Sequence, residues 1–457
     1  MAFSDLRPHF RPTILLAYPV VLSQLGHVMV NVVDSVAVGH LGTVPLAAVS
    51  LSVSVVTVLM VLGLGISMGI TPLVAAADGQ RDVPQLGRLL VGGVLQCTAA
   101  GLLLAAVGWL LMPLLPWLGQ PPAVVALATP WIRVMVLSLV PLMVFQGFRQ
   151  FAEGLGLTRQ AMQLSILANV INALLCYALV YGRLGAPALG MMGAAWATLL
   201  ARALMALLMA GYVLRAPALR AYHAAIGRWR FDAATQRRLL HIGLPIGAQM
   251  VFEVGAFSLS AIMAGWLGAR VQAAHQIAIN VASVTYMGAT GISTAATIRV
   301  GRQRGLGDAR GARRAGFAAY LLTFIFMGGM GLLLVLGRHF IPQFYNSDPA
   351  VGAQAATLLL IAALFQVSDG LQVVGLGALR GLEDVKVPSV VALLSYWVLA
   401  LPMSYALGFG LGWGAAGVWT GLLLGLSAVA LVLLRRFERE TRGRGVPGPE
   451  QLNENPG

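Results

Sequence analysis

Twelve long apolar segments limit this chain to very few architectures. A helix that crosses a bilayer needs about 20 mostly apolar residues, and each segment reaches that length. Backbone polar groups inside lipid have to bond within their own segment, so the pattern predicts spanning helices rather than an open sheet. The predicted spans lie near 14–38, 46–76, 86–112, 123–150, 161–181, 188–213, 239–266, 273–298, 312–336, 350–379, 388–408 and 412–434.

The composition agrees with a chain that is embedded in the lipid bilayer. Of its 457 residues, 58% are hydrophobic and only 10% are charged. A soluble domain has about 25% charged residues. The predicted fold class is therefore an all-α polytopic membrane protein with twelve transmembrane helices.

The basic residues are concentrated in alternate loops. A net charge of +14 is compatible with nucleic-acid binding, but this distribution follows the positive-inside rule instead. It predicts that both termini are cytoplasmic, and it argues against a nucleic-acid partner. The basic loops contain Arg7 and Arg11, Arg81 and Arg88, Arg149 and Arg159, Arg215–Arg238, Arg299–Arg314, Arg380 and Lys386, and Arg435–Arg444.

The chain matches itself at an offset of 226 residues, without a gap from residue 19 to 88. Shared apolar composition gives scattered Ala, Leu and Val matches, whereas here Gly, Pro, Asp and Arg align in one register. A duplicated lobe of six spans is the stronger interpretation, with the lobes related by a pseudo-twofold along the membrane normal. Matching pairs include Pro19 and Pro245, Gly42 and Gly268, Gly65 and Gly291, Asp82 and Asp308, and Arg88 and Arg314.

This duplication predicts four parts of the chain. An N-lobe with helices 1–6 covers residues 1–214, and a cytoplasmic linker covers 215–238. A C-lobe with helices 7–12 covers 239–436. A polar tail rich in Pro and Gly, 437–457, is expected to be disordered and cytoplasmic.

Three acidic residues lie inside apolar spans: Asp34, Glu253 and Asp369. A carboxylate in hydrocarbon is costly and is kept mainly where it binds or moves something. Such a group can hold a proton, a sodium ion or a cationic substrate, one at a time, and competition among them amounts to antiport. The structural alternative is a hydrogen bond to a neighbouring helix.

Other polar residues accompany these acids. Gln249 lies one turn before Glu253, which gives a polar stripe on an apolar helix. Gln276 and Asn280 lie one turn apart and are candidates to line the C-lobe. Arg133 and Arg202 are expected to have structural roles.

The remaining candidate substrate contacts are polar or aromatic. We assign Asn172 and Thr198 to the lining of the N-lobe. Aromatic residues such as Tyr286 and Phe365 are expected mostly to face lipid or to pack in the core, and these two are also candidates for an adaptable wall around a substrate.

No enzyme motif is present in the sequence. It contains no P-loop GxxxxGK[ST], so it encodes no ATP motor of that kind, and it contains no HExxH or CxxC metal spacing. We therefore predict a protein that is not an enzyme and needs no cofactor.

Several segments resemble the multidrug and toxic compound extrusion family in its NorM-type branch. The resemblance covers residues 12–436 and is most specific in VDSVAVGHLG, LPIGAQMVFE, AAHQIAIN, GISTAATIRVG and FQVSDGLQVVGLGALRGLEDVKVP. It implies a two-lobed exporter that moves small organic cations outward against protons or sodium ions. Asp34 falls on the family's first-lobe acid, and Glu253 and Asp369 fall on its second-lobe acids.

From this resemblance we expect the protein to be a multidrug efflux antiporter of the bacterial inner membrane that works as a monomer. We expect Glu253, Asp369 and Asp34 to take part in ion coupling. Asp34 can also contact substrate. Glu253 and Asp369 would hold the metal if the coupling ion is sodium. A lipid-linked saccharide flippase of the same superfamily is the alternative, although such a protein needs a basic cavity.

Overall fold

The computed structural model describes residues 3–39, 41–183, 185–216, 219, 232–346 and 348–442. Within these ranges the secondary structure is helical and no strand occurs. Most helices are long, and short 3₁₀ turns, Met112–Leu118 and Ile341–Phe344, occupy two connections. The helices are α1 Phe3–Gly39, α2 Thr43–Ser67, α3 Ile70–Gln80, α4 Val83–Leu110, α5 Pro122–Leu137, α6 Leu139–Gly154, α7 Thr158–Tyr181, α8 Met191–Arg215, α9 Ala233–Trp266, α10 Ala269–Gly305, α11 Ala309–Gly337, α12 Pro349–Gly381, α13 Lys386–Leu394, α14 Leu401–Tyr405 and α15 Gly414–Arg442.

Length and composition identify eleven spans among the described residues that can cross a membrane. Three of them combine consecutive helices: α2 with α3, α5 with α6, and the segment Lys386–Gly410, which contains α13, α14 and two π-helical stretches. The predicted span at 273–298 lies in α10, which has 37 residues but is too polar to be identified by composition. The all-α polytopic fold is thus confirmed.

The helices form two compact units. The C unit contains Met1–Val21 and Ala248–Gly457, and the N unit contains Leu22–Gly247. The division falls inside α1 and inside α9, after residues 21 and 247, and these positions are 226 residues apart (247 − 21). The units therefore divide the chain at equivalent points of the repeat.

Close helix contacts explain why the first part of α9 belongs to the N unit and the first part of α1 belongs to the C unit. In the N unit, a Cβ on Gly65 of α2 would lie 2.4 Å from the Cα of Gly247 on α9. In the C unit, a Cβ on the matching Gly291 of α10 would lie 2.8 Å from the carbonyl oxygen of Ala17 on α1. Only glycine fits at both crossings, which accounts for one of the strongest matches in the repeat.

The predicted lobes 1–214 and 239–436 differ from these units at two places. Residues 1–21 of the chain belong to the C unit, and the first part of α9, up to Gly247, belongs to the N unit. The predicted linker 215–238 also needs correction at its ends. Arg215 ends α8, and α9 already begins at Ala233. Within the linker, residues 217–218 and 220–231 lie outside the described ranges.

The predicted disordered tail begins too early. Residues 437–442 continue α15, where Phe437 is fully buried against Gly316. Glu438 lies 3.5 Å from Arg313 and 2.6 Å from Arg442, so ion pairs hold this last turn. Residues 443–457 lie outside the described ranges.

Other repeated residues have equivalent backbone roles in the two units. Gly42 and Gly268 precede α2 and α10 with φ of 128° and 115°, a region that disfavours residues with a Cβ. The Asp82 side chain accepts a hydrogen bond from the backbone N–H of Gln85 at 2.9 Å, and the Asp308 side chain accepts one from the backbone N–H of Gly311 at 2.8 Å. Both aspartates cap the following helix, so the duplication extends to helix capping.

In the C unit, α10 and α12 pack backbone to backbone. The Ser293 hydroxyl donates to the Val373 carbonyl at 2.7 Å, and the Thr297 hydroxyl donates to the Gly377 carbonyl at 2.8 Å. A Cβ on Gly377 would lie 2.4 Å from the Ser293 carbonyl oxygen. This tight contact fixes the register of the two helices that carry Tyr286 and Asp369.

Candidate functional site

Glu253 is the centre of a buried polar cluster in the C unit. It lies on α9 one turn after Gln249, and only 8% of the residue is exposed. The Gln249 Nε2 group donates to Glu253 Oε2 at 3.0 Å. Because residues four apart share one helix face, the sequence spacing itself places this amide beside the carboxylate.

A hydroxyl from α10 joins this cluster. The Tyr286 hydroxyl lies 3.4 Å from Glu253 Oε1, at the long end of the hydrogen-bond range. Both oxygens of Glu253 thus face protein donors. The structure adds Tyr286 to the pair of Gln249 and Glu253 that the sequence spacing predicts.

Asp369 is the second acid of the cluster. It is 5% exposed on α12, and its Oδ1 atom has no hydrogen-bond partner in the described part of the chain. Its negative charge interacts with that of Glu253 across the cluster. A buried carboxylate oxygen without a donor has an open position for a proton or a cation.

The polar neighbours of Asp369 on α12 are engaged elsewhere. The Gln366 amide accepts from the Thr285 hydroxyl at 2.9 Å and donates to the Met327 carbonyl at 3.1 Å. The Gln372 amide bonds with the Tyr396 hydroxyl, which lies on the π-helical segment Ser395–Ala400. These amides tie α12 to its neighbours and leave Asp369 as the acid that remains open.

Arg380 brings a positive charge to the same cluster. It lies at the end of α12, is 8% exposed, and donates from Nη2 to Gln249 Oε1 at 3.1 Å. The charge pattern of the sequence predicts Arg380 in a cytoplasmic loop. The structure places it on α12 instead, and the sequence signal for this is that Arg380 directly follows the apolar run VVGLGAL.

The N unit holds a separate polar cluster. The Thr198 hydroxyl donates to Asp34 Oδ2 at 2.9 Å and accepts from Asn172 Nδ2 at 3.2 Å. All three residues are buried, and Asp34 Oδ1 and Asn172 Oδ1 have no partner in the described part of the chain. The three residues predicted for this lobe therefore lie together, on α1, α7 and α8.

Arg202 and Arg133 occupy different environments in the N unit. The Arg202 guanidinium donates to the Ser138 hydroxyl at 2.7 Å, and its positive charge acts on Asp34. Arg133 is exposed, and its guanidinium lies 5.8 Å from the centre of the Trp109 ring. The contact of Arg133 with a ring at the end of α4 is typical of a snorkelling side chain.

Three further candidates do not join either cluster. Gln276 and Asn280 are exposed on α10 and bond to each other at 3.0 Å. Phe365 is 1% exposed, and its ring packs against Phe257 and Trp419 with centroids 6.1 and 5.4 Å apart. Phe365 is thus part of the aromatic core in this conformation, because its neighbours cover the whole ring.

The C-unit cluster offers oxygen ligands for a monovalent cation. Carboxylate and hydroxyl oxygens suit hard cations, and the same carboxylates accept protons. Groups of three or more His, Cys, Asp or Glu side chains that could hold a metal are absent from the described ranges. The cluster thus presents two carboxylates and a phenol hydroxyl as oxygen groups.

The MatE family model matches the chain twice, over residues 19–178 and 245–406. The starts of the two matches are 226 residues apart (245 − 19), which is the offset of the repeat. Together the matches cover well over half of the chain.

Curated relatives match over nearly the whole length. The chain is 39% identical over 443 residues to a probable multidrug resistance protein NorM of Rhodopseudomonas palustris, covering 96% of this chain and 94% of the relative. It is 35% identical over 439 residues to a protein of the same description from Rhizobium meliloti, covering 95% and 94%.

Solved structures share the fold at lower identity. A crystal structure of a MATE protein in a straight conformation is 18% identical, with a TM-score of 0.87, and covers 98% of this chain and 97% of that chain. A eukaryotic MATE transporter is 18% identical with a TM-score of 0.84, covering 96% and 98%. The duplicated match to the family model and the full-length relatives confirm the resemblance seen in the sequence motifs: this chain belongs to the MatE family.

Proposed function

We propose that the protein is a secondary active multidrug efflux antiporter. It exports small, cationic, amphipathic compounds from the bacterial cytoplasm in exchange for protons or sodium ions by alternating access. It works as a monomer in the inner membrane, with both termini in the cytoplasm. The relatives described as multidrug resistance proteins, all bacterial, support the substrate class and the membrane.

The observation that carries the coupling proposal is the open carboxylate in the C unit. Among the described residues, buried Asp369 Oδ1 has no hydrogen-bond partner, and the charge of a second acid, Glu253, acts on it. Buried like charges need compensation by a cation or a proton. A cationic drug and a coupling ion compete for this charge, so binding of one favours release of the other, which is the requirement for exchange.

The N-unit cluster has a different role in this proposal. Asp34 is already engaged by Thr198 and lies within reach of the Arg202 charge. The Cys176 thiol also bonds to Asp34. Asp34 Oδ1 and Asn172 Oδ1 have no partner within the described ranges, so they offer acceptors to the donor groups of a substrate. We infer that this cluster contacts the drug or tunes the N unit, and that ion coupling resides in the C unit.

Efflux of ethidium from proteoliposomes tests the function. A proton gradient and a sodium gradient are imposed separately, with liposomes lacking the protein as the control. Efflux with either gradient identifies the coupling ion. No efflux with either, from protein that elutes as a single folded species, would contradict the antiporter proposal.

The structure gives little support to the flippase alternative. That function needs a basic cavity, yet Arg133 rests on Trp109 and Arg202 bonds to Ser138. If ethidium efflux fails, movement of a fluorescent lipid-linked saccharide between leaflets of the same proteoliposomes is the next measurement.

A further inference from the structure

We propose that Arg380 is the built-in counter-charge of Glu253, held to it through Gln249, so that Asp369 is the acid left for the transported cation. This proposal rests on the proposed antiport function. It gives different roles to Glu253 and Asp369, which the sequence does not distinguish. It makes Arg380 a positioning residue of the coupling site.

The first support is the continuous bridge from Arg380 to Glu253. The guanidinium donates to Gln249 Oε1 at 3.1 Å, and Gln249 Nε2 donates to Glu253 Oε2 at 3.0 Å. All three side chains are buried, so no bulk water screens the charges at the two ends. The amide orientation that satisfies the arginine is also the one that satisfies the carboxylate.

The second support is distance along α12. Arg380 follows Asp369 by eleven residues (380 − 369), which is about 16 Å along a helix axis. The two residues are thus about three helical turns apart, and the acid whose charge acts on Arg380 is Glu253. Arg380 is linked to this acid on α9 through Gln249, which lies one turn before Glu253.

The third support is the electrostatic environment of each acid. Glu253 feels the positive charge of Arg380. It also has hydrogen bonds from Gln249 and from the Tyr286 and Tyr396 hydroxyls. The charge that acts on Asp369 is the negative one of Glu253. One positive and two negative groups leave one uncompensated negative charge, and Asp369 has the carboxylate oxygen that lacks a donor within the described part of the chain.

The proposal predicts the behaviour of paired substitutions. Glu253→Gln leaves Asp369 and Arg380 with no net charge, so the site no longer needs a cation and coupling is lost. Arg380→Gln leaves two bare carboxylates and also impairs coupling. The double variant E253Q/R380Q restores the net charge of −1 on Asp369, so we expect it to recover coupled efflux.

The experiment is ion-driven ethidium efflux from proteoliposomes in a double-mutant cycle. Each single variant is expected to lose coupled efflux by at least about tenfold, and the double variant to regain most of it. Arg380→Lys keeps the charge and is expected to retain coupling. A double variant no better than the weaker single variant would overturn the proposal, because a purely structural arginine gives no rescue.

Two further variants make the cycle specific. D369N/R380Q is expected to remain inactive, since it removes the negative charge that the cation needs. Rescue there as strong as in E253Q/R380Q would overturn the pairing of Arg380 with Glu253. Arg436→Gln is the control, because Arg436 on α15 pairs with Asp384, and neither residue is part of the bridge from Arg380 to Glu253. This variant is expected to behave like the wild-type protein.

Folding is measured in parallel as monodisperse yield in detergent. If Arg380→Gln does not fold, E253Q/R380Q decides the matter, because removing both partners of a buried pair is far less damaging than removing one. Recovery of folded protein in the double variant supports the pairing, and failure of both variants to fold contradicts it. Wild-type efflux is established first, so failure of the antiport function is distinguishable from failure of this inference.

Discussion

The Tyr286 hydroxyl lies 3.4 Å from Glu253 Oε1 and links α10 to the acid on α9. This bond is long, and the carboxylate has a stronger donor in Gln249 at 3.0 Å. Tyr286 is thus the weaker of these two donors to Glu253.

Tyr286→Phe is expected to weaken the apparent affinity for the coupling ion only modestly. Loss of one hydrogen bond to a charged group is worth about 1.5–3 kcal/mol at good geometry, and this one is longer. We expect a rise of roughly three- to tenfold in the ion concentration for half-maximal efflux, with the maximal rate retained. The exposed Tyr405, which stacks on Phe409, provides the control variant Tyr405→Phe.

Thr198→Val is expected to destabilise the N unit. The valine cannot donate to Asp34 or accept from Asn172, so two buried polar groups lose their partner. Each such loss costs about 1–3 kcal/mol, and a thermal shift measurement in detergent should show a clear fall in melting temperature. Thr198→Ser keeps the hydroxyl and is expected to stay close to the wild-type value; an unchanged melting temperature for Thr198→Val would contradict the network.

Gly65→Ala and Gly291→Ala are expected to be destabilising by similar mechanisms. A methyl group at either position meets backbone atoms, the Cα of Gly247 in one unit and the carbonyl of Ala17 in the other. Overpacking of this kind costs about 1–3 kcal/mol. Gly328→Ala is the matched control, because a Cβ there meets no atom within 4 Å. Equal melting temperatures for all three variants would show that these crossings tolerate a methyl group.

Asp82→Ala and Asp308→Ala are expected to lose equal amounts of stability. Each aspartate caps a helix by accepting one backbone amide, at 2.9 and 2.8 Å. Loss of such a cap costs about 1 kcal/mol. The melting temperatures of the two alanine variants should therefore fall by the same amount. Asp→Asn at either position should retain most of the stability, because asparagine also caps helices. A large difference between the two would contradict their structural equivalence.

The sequence predicted the helices, the repeat and the acids because each leaves a local signal. A carboxylate stands out in an apolar span, as Glu253 and Asp369 do, and four-residue spacing placed Gln249 beside Glu253. The paired Gly65 and Gly291 were found as matches, and the structure supplies their cause in two close helix crossings.

Other features needed three-dimensional packing. Hydropathy locates a span but does not say which helices it contacts, so the division of α1 and α9 between the units was not predicted. Phe365 has the same apolar character in a core as in a cavity wall. Arg380 was counted with the loops because helix ends are the least certain boundaries in sequence analysis.

The proposed antiport requires both C-unit acids, Asp369 as the acid for the cation and Glu253 as the partner of Arg380. The most direct measurement compares gradient-driven ethidium efflux from proteoliposomes containing the wild-type protein, Glu253→Gln or Asp369→Asn, at equal amounts of folded protein. Asp348→Asn is the control, an acid-to-amide change at the half-buried N-cap of α12, where asparagine also caps a helix. We expect coupled efflux in the wild-type and control proteins and none in the two cluster variants. Efflux at the wild-type rate in both cluster variants would show that ion coupling does not depend on Glu253 and Asp369.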